Sequence, residues 1–198
     1  FTKNVFKKTI NYYSVAKKSK VNFKKYSKFL KRNRLYFKES DVLGNVSTIE
    51  KTVRVDEKIL NFFQTRKKLI NEIKRNKINL YLNKEFKKNN LKDYDKVIIA
   101  TYSNNNNILS SLGIKKISTN KYQLVEKILI KLPKEYERKS YVVIDGNFVC
   151  VDPYLGTSYH LLSDVKLSKL ETLISKYPNF YSFKKRYFNK GLIKNIKV

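Results

Sequence analysis

Methionine and tryptophan are absent from this 198-residue chain, and cysteine and histidine occur once each, as Cys150 and His160. A single cysteine excludes a disulfide scaffold and a cysteine-rich zinc module. Five glycines and three prolines are too few for a collagen-like or low-complexity chain. No run of about 18 apolar residues occurs, which excludes a membrane-crossing helix. Acid residues are scarce as well: 16 Asp and Glu stand against 44 Lys and Arg, a formal charge of +28. The chain opens at Phe1 without an initiator, and lysines recur too often nearby for a signal peptide. It therefore reads as part of a longer, cytoplasmic protein.

What is present can build a core. The hydrophobic share is 41%, and one domain of about 100–200 residues suits the length. A basic excess of this size suits phosphate backbones, whose neutralisation releases counterions. Only seven cations are Arg, however, against 37 Lys, and Arg is the better fork for phosphates and guanine edges. Runs such as Asn104 to Asn107 are what an AT-rich coding sequence produces. Two readings of the charge stay open: a nucleic-acid or assembly partner held through Lys-rich surfaces, or solvated faces enriched by composition.

Along the chain, residues 1–40 interleave lysine pairs with Tyr12, Tyr13, Phe23, Tyr26 and Phe29. Phe23, Tyr26 and Leu30 share one helical face, which predicts a short helix around 20–32. Val46 to Val55 is rich in β-branched residues and ends at Asp56, a good N-cap for a helix running to about Asn76. Ile78 to Leu82 alternates as a strand, and Val97 to Tyr102 is an apolar run suited to a strand buried on both faces. A short helix with a stop at Gly113 follows. From Tyr122 on, Tyr141 to Ile144, Phe148 to Val151 and Tyr159 to Leu162 read as antiparallel strands, the first two joined by a turn at Asp145-Gly146. Residues 166–198 read as a basic helical segment carrying Leu167, Leu170, Leu173 and Ile174 on one face. No internal repeat is present. The expected class is α/β (α+β).

Several of these stretches resemble a known family. Asp95-Lys96-Val97-Ile98-Ile99-Ala100-Thr101 resembles the "D-x-V-x-x-A-T" strand of FAD-dependent oxidoreductases of the D-amino-acid oxidase, or glycine-oxidase-like, family. Lys121 to Lys127, Leu132-Pro133, Val142 to Phe148, Asp152-Pro153-Tyr154 and Tyr159 to Leu162 resemble that family's substrate-domain sheet in order and spacing. The resemblance covers about residues 10–165. It implies a partial FAD-binding α/β region with a basic N-terminal segment over 1–120. An antiparallel substrate-domain-like sheet would follow over 121–165, and the basic helical segment over 166–198. The implied activity is hydride transfer from an amine or amino-acid-like substrate to flavin, in a divergent or truncated form that lacks the cofactor loop. That loop, G-x-G-x-x-G, cannot be built from glycines at 44, 113, 146, 156 and 191. The resemblance places it ahead of Phe1.

The same resemblance puts Ala100, Thr101 and Tyr102 near the FAD, and Asp145, Phe148, Tyr154 and His160 on the substrate side. Read from the residues alone, 100–102 is the end of a buried strand, and His160 is a structural histidine. Asp145 and Asp152 are turn residues before Gly and Pro. Cys150 sits between two valines as an inert thiol. No catalytic triad or metal-ligand spacing emerges. The alternative to the flavoenzyme is a basic nucleic-acid-associated structural protein, a ribosomal or virion-like component, using Lys patches on 1–40 and 166–198.

Overall fold

The structure, a computed structural model, describes residues 5–7, 9–144 and 148–181. It confirms the mixed α/β class. The elements run β1 (Phe6–Lys7), β2 (Ile10–Ala16), α1 (Phe23–Arg32), β3 (Phe37–Ser40), β4 (Ile49–Val55), β5 (Ile59–Leu60), α2 (Phe62–Arg75) and α3 (Asn105–Ser111). Then follow β6 (Asn120–Val125), β7 (Ile128–Ile130), β8 (Lys139–Ile144), β9 (Val149–Pro153), β10 (His160–Asp164) and β11 (Lys169–Ser175). Seven strands form the main sheet in the order β3-β4-β2-β8-β9-β10-β7, while β1 pairs with β5 and β11 with β6. Within the main sheet β2 and β8 run parallel. The remaining neighbours are antiparallel.

Local chemistry explains most boundaries. The Asn22 side chain accepts from the Lys25 amide at 3.0 Å and starts α1, and Lys31 and Arg32 in its last turn complement the helix dipole. Leu30 is buried against Val53 and Val55, with Tyr13, Phe23, Tyr26 and Phe37 packed around them. That cluster joins α1 to β2, β3 and β4. Across β2 and β4 the buried hydroxyls of Ser14 and Thr52 satisfy each other at 2.8 Å, as burial requires. Tyr12 and Tyr141 stack at 5.3 Å across the parallel pair.

Four sequence expectations need correction. The helix after β4 is capped by Asn61, whose Oδ1 accepts from the Gln64 amide, because Ile59–Leu60 is drawn off to pair with β1. Asp56 therefore caps nothing there. Ile78 to Leu82 is not a strand: Lys77 and Asn83 adopt positive φ on either side of it, and Leu80, Tyr81 and Leu82 face solvent. Val97 to Tyr102 is not a buried strand either; Ile98 is 91% exposed and the run pairs with nothing among the described residues. The expected C-terminal helix is a strand over Lys169–Ser175, paired with β6. Its leucines mimic helical spacing. A bulge between Lys169 and Glu171 sets an alternation that turns Leu173 inward and Thr172 and Ile174 outward. The remainder of 166–198 beyond Tyr181, and the Asp145-Gly146 turn, lie outside the described residues.

Candidate functional site

From Lys77 to Thr101 the chain forms no strand, and its one regular piece is a 3₁₀ turn at Lys88–Asp93. Lys77, Lys84, Lys87, Lys88, Lys92 and Lys96 alternate here with Tyr81, Phe86 and Tyr94. The Lys84 ammonium sits 4.7 Å from the Tyr81 ring centre, and Phe86 tilts against Tyr94 at 5.9 Å. Such cation–π and ring pairs organise an exposed segment without a core. Gly113, which follows α3 at φ +80°, has the end of the Lys88 side chain beside it.

The segment delivers Tyr102, at positive φ and 93% exposed, to the mouth of a groove of about 740 Å³. One wall is α3 with Asn105 and Leu109; the other is β6 with Asn120, Lys121 and Gln123, and Phe180 also lines the groove. The groove is held open by Asn106. This buried side chain donates to the carbonyl of Lys176 at 2.6 Å and to that of Ser118 at 2.8 Å. Tyr122 donates to the same Lys176 carbonyl at 3.1 Å. At the N-terminal end, the Thr101 amide and hydroxyl both donate to Asn105 Oδ1, at 2.8 and 2.9 Å. The result is a groove with an exposed ring at its mouth, amide donors and acceptors in its wall, and an ammonium from Lys121.

The residues expected near a flavin lie together at one end of the irregular segment. Ala100, Thr101 and Tyr102 are exposed, and Ala100 and Thr101 belong to no helix or strand. The substrate-side candidates are dispersed. Phe148 borders a separate apolar cleft against α1. Tyr154 packs its ring against Phe63 at 5.6 Å. His160 is buried, and its Nε2–H donates to the Tyr136 carbonyl at 3.1 Å, leaving Nδ1 without a partner. Asp145 lies outside the described residues. Asp152 accepts from the Ser140 hydroxyl at 2.6 Å. Cys150 is half-buried, and its thiol is pushed up by burial, with Asp152 adding to the shift; it is protonated at neutral pH. Among the described residues no group of His, Cys, Asp and Glu is placed to hold a metal ion, and no helix is long and apolar enough to cross a membrane.

Comparison with known proteins gives no further guide: no family model, curated protein or solved structure matches the chain. Sequence reasoning missed the groove because Asn106, the residue that builds it, looked like one of four equivalent asparagines. Its only signal was its place one turn before Leu109 on the helix that Gly113 ends.

Proposed function

We propose that this protein is a nucleic-acid-associated component that holds a single-stranded stretch along residues 77–102 and into the groove beyond. The observation that carries this reading is Tyr102: an almost fully exposed ring at the mouth of an amide-lined groove, at the end of a lysine-studded segment. Unstacked bases gain about 1–3 kcal/mol each by stacking on such rings, and lysines beside them neutralise the backbone. Asn105, Asn120 and Gln123 offer the donors and acceptors that base edges use.

Charge counting supports the same reading. Even if every one of the 16 carboxylates took one cation, 28 cations would remain unneutralised. Ion pairs such as Lys51 with Glu39 at 3.1 Å use few of them. An exposed apolar run such as Val97 and Ile98 also suits a chain seated in a larger assembly. The flavoenzyme reading rests on the sequence resemblance alone.

The test is anisotropy of a labelled single-stranded RNA oligomer with the wild-type protein, Tyr102→Ala, and a Lys84/Lys88→Ala double variant. Tyr102→Ala is expected to weaken binding by about tenfold or more, in line with one stacked base. The lysine variant is expected to lower the salt dependence by about two phosphate contacts. Binding that none of these substitutions alters would refute the proposal.

A further inference from the structure

A second site lies between α1 and the main sheet, on chemistry opposite to that of the groove. It is a cleft of about 680 Å³ whose wall is almost wholly apolar, a size typical of small-ligand pockets at about 300–1,000 Å³. Tyr13, Tyr26, Phe29, Tyr36 and Phe148 contribute rings, and Leu30 and Val55 from the core cluster form the floor. In a chain where cations outnumber acids 44 to 16, both charged residues of this lining, Asp56 and Glu57, are acidic.

Glu57 is fixed in place rather than adrift. The Tyr13 hydroxyl donates to its Oε2, and the buried Asn11 side chain donates to its main-chain carbonyl at 2.6 Å. Asn11 is in turn oriented by the Thr9 hydroxyl at 3.1 Å. Both anchors sit on β2 two residues apart, hence on one face of the sheet. Glu57 Oε1 is not used by either contact. The phenols of Tyr13 and Tyr26 stay neutral near Glu57, mainly because they are partly buried.

We infer that this cleft binds a small alkylammonium compound, with its methylated cation against the aromatic rings and its charge answered by Glu57 and Asp56. The chemistry is that of a cation over ring faces, which favours a soft, weakly hydrated ammonium over a hydrated metal ion or a bare lysine. A purely hydrophobic ligand would leave the two carboxylates without a role. An anionic ligand would be repelled by them. Within the lining itself the two carboxylates are the only charged side chains.

The experiment is ligand-observed NMR saturation transfer with choline, compared with its uncharged carbon isostere, dimethylbutanol. Choline is expected to bind at least tenfold more tightly than the isostere. Glu57→Gln is expected to reduce choline binding about tenfold or more without changing isostere binding. Tyr36→Ala, at an exposed ring on the rim, is expected to weaken choline on a fold unchanged by circular dichroism. Equal binding of the two compounds, no choline signal from folded protein, or indifference to both substitutions would each overturn the inference. RNA binding is expected to be unaffected by choline, which separates this site from the groove.

Discussion

The side chain of Asn106 donates a hydrogen bond to the main-chain carbonyl of Lys176, 70 residues further along the chain, at 2.6 Å. That bond and its partner to Ser118 tie α3 to the ribbon of β6 and β11, and so define the groove that Tyr102 overlooks. An asparagine is suited to this because its NH₂ carries two donors for two carbonyls.

Replacing Asn106 by Ala takes one donor from the Ser118 carbonyl, leaves the Lys176 carbonyl to Tyr122, and removes the link between α3 and the two carbonyls. A loss of about 1–3 kcal/mol is expected, seen as a lower denaturant midpoint. Limited proteolysis is expected to cut first near residues 113–119, where the helix leaves the ribbon. Unchanged stability would mean that the groove is not held by this residue.

Gly156 lies at φ +97° with the Phe63 ring against it; a Cβ there would meet Phe63 Cδ2 at 2.7 Å. Gly156→Ala is therefore expected to destabilise the protein by about 1–3 kcal/mol, through backbone strain and displacement of the ring. A thermal melt reads this directly. The double variant Gly156→Ala with Phe63→Ala is expected to lose less than the sum of the single changes, because the clash partner is gone.

Alkaline pH provides a separate check on the cleft. Burial first, and then the charge of Glu57, pushes Tyr26 up to about 12; Tyr13 is raised as well, by burial and by its bond to Glu57. Between the ordinary tyrosine value of about 10 and the raised folded values, the unfolded chain releases protons that the folded chain keeps. Stability due to these phenols is thus intact below pH of about 10 and is lost as pH rises through about 12. Tyrosinate absorbance is expected to show a late-ionising group, and Tyr26→Phe is expected to shrink that late step. A single uniform titration would contradict it.

Added FAD tests the family resemblance. With Ala100, Thr101 and Tyr102 exposed on an irregular segment, folded protein is expected to leave flavin fluorescence and its anisotropy unchanged. Stoichiometric uptake, giving yellow protein, would restore the oxidoreductase reading.

Where the sequence was legible, one local device was enough. Phe23, Tyr26 and Leu30 share a helical face because α1 really does lay that face on Val53 and Val55. The strand at His160–Asp164 alternates buried and half-buried residues, and the strands near 141 and 149 pair in the same sheet. The failures have a common origin. Val97 to Tyr102 has the composition of a buried strand, but burial depends on partner strands that no short window reports. Leu170, Leu173 and Ile174 share spacing with a helix, and pairing with β6 overrides it. The groove was illegible because it is made by Asn106 meeting Lys176, a contact between distant parts of the chain. Tyr102 itself was picked out, by the resemblance as a neighbour of FAD and from the residues alone as the end of a buried strand.

The most direct measurement is the affinity of the wild-type protein for a single-stranded RNA oligomer across a salt series. A linear fall of log affinity with log salt is expected, with a slope that reports several phosphate contacts at about 0.7 per phosphate, and with competition by unlabelled single strand stronger than by duplex. No binding at low salt, or a flat salt response, would contradict the proposal that this lysine-rich chain holds nucleic acid.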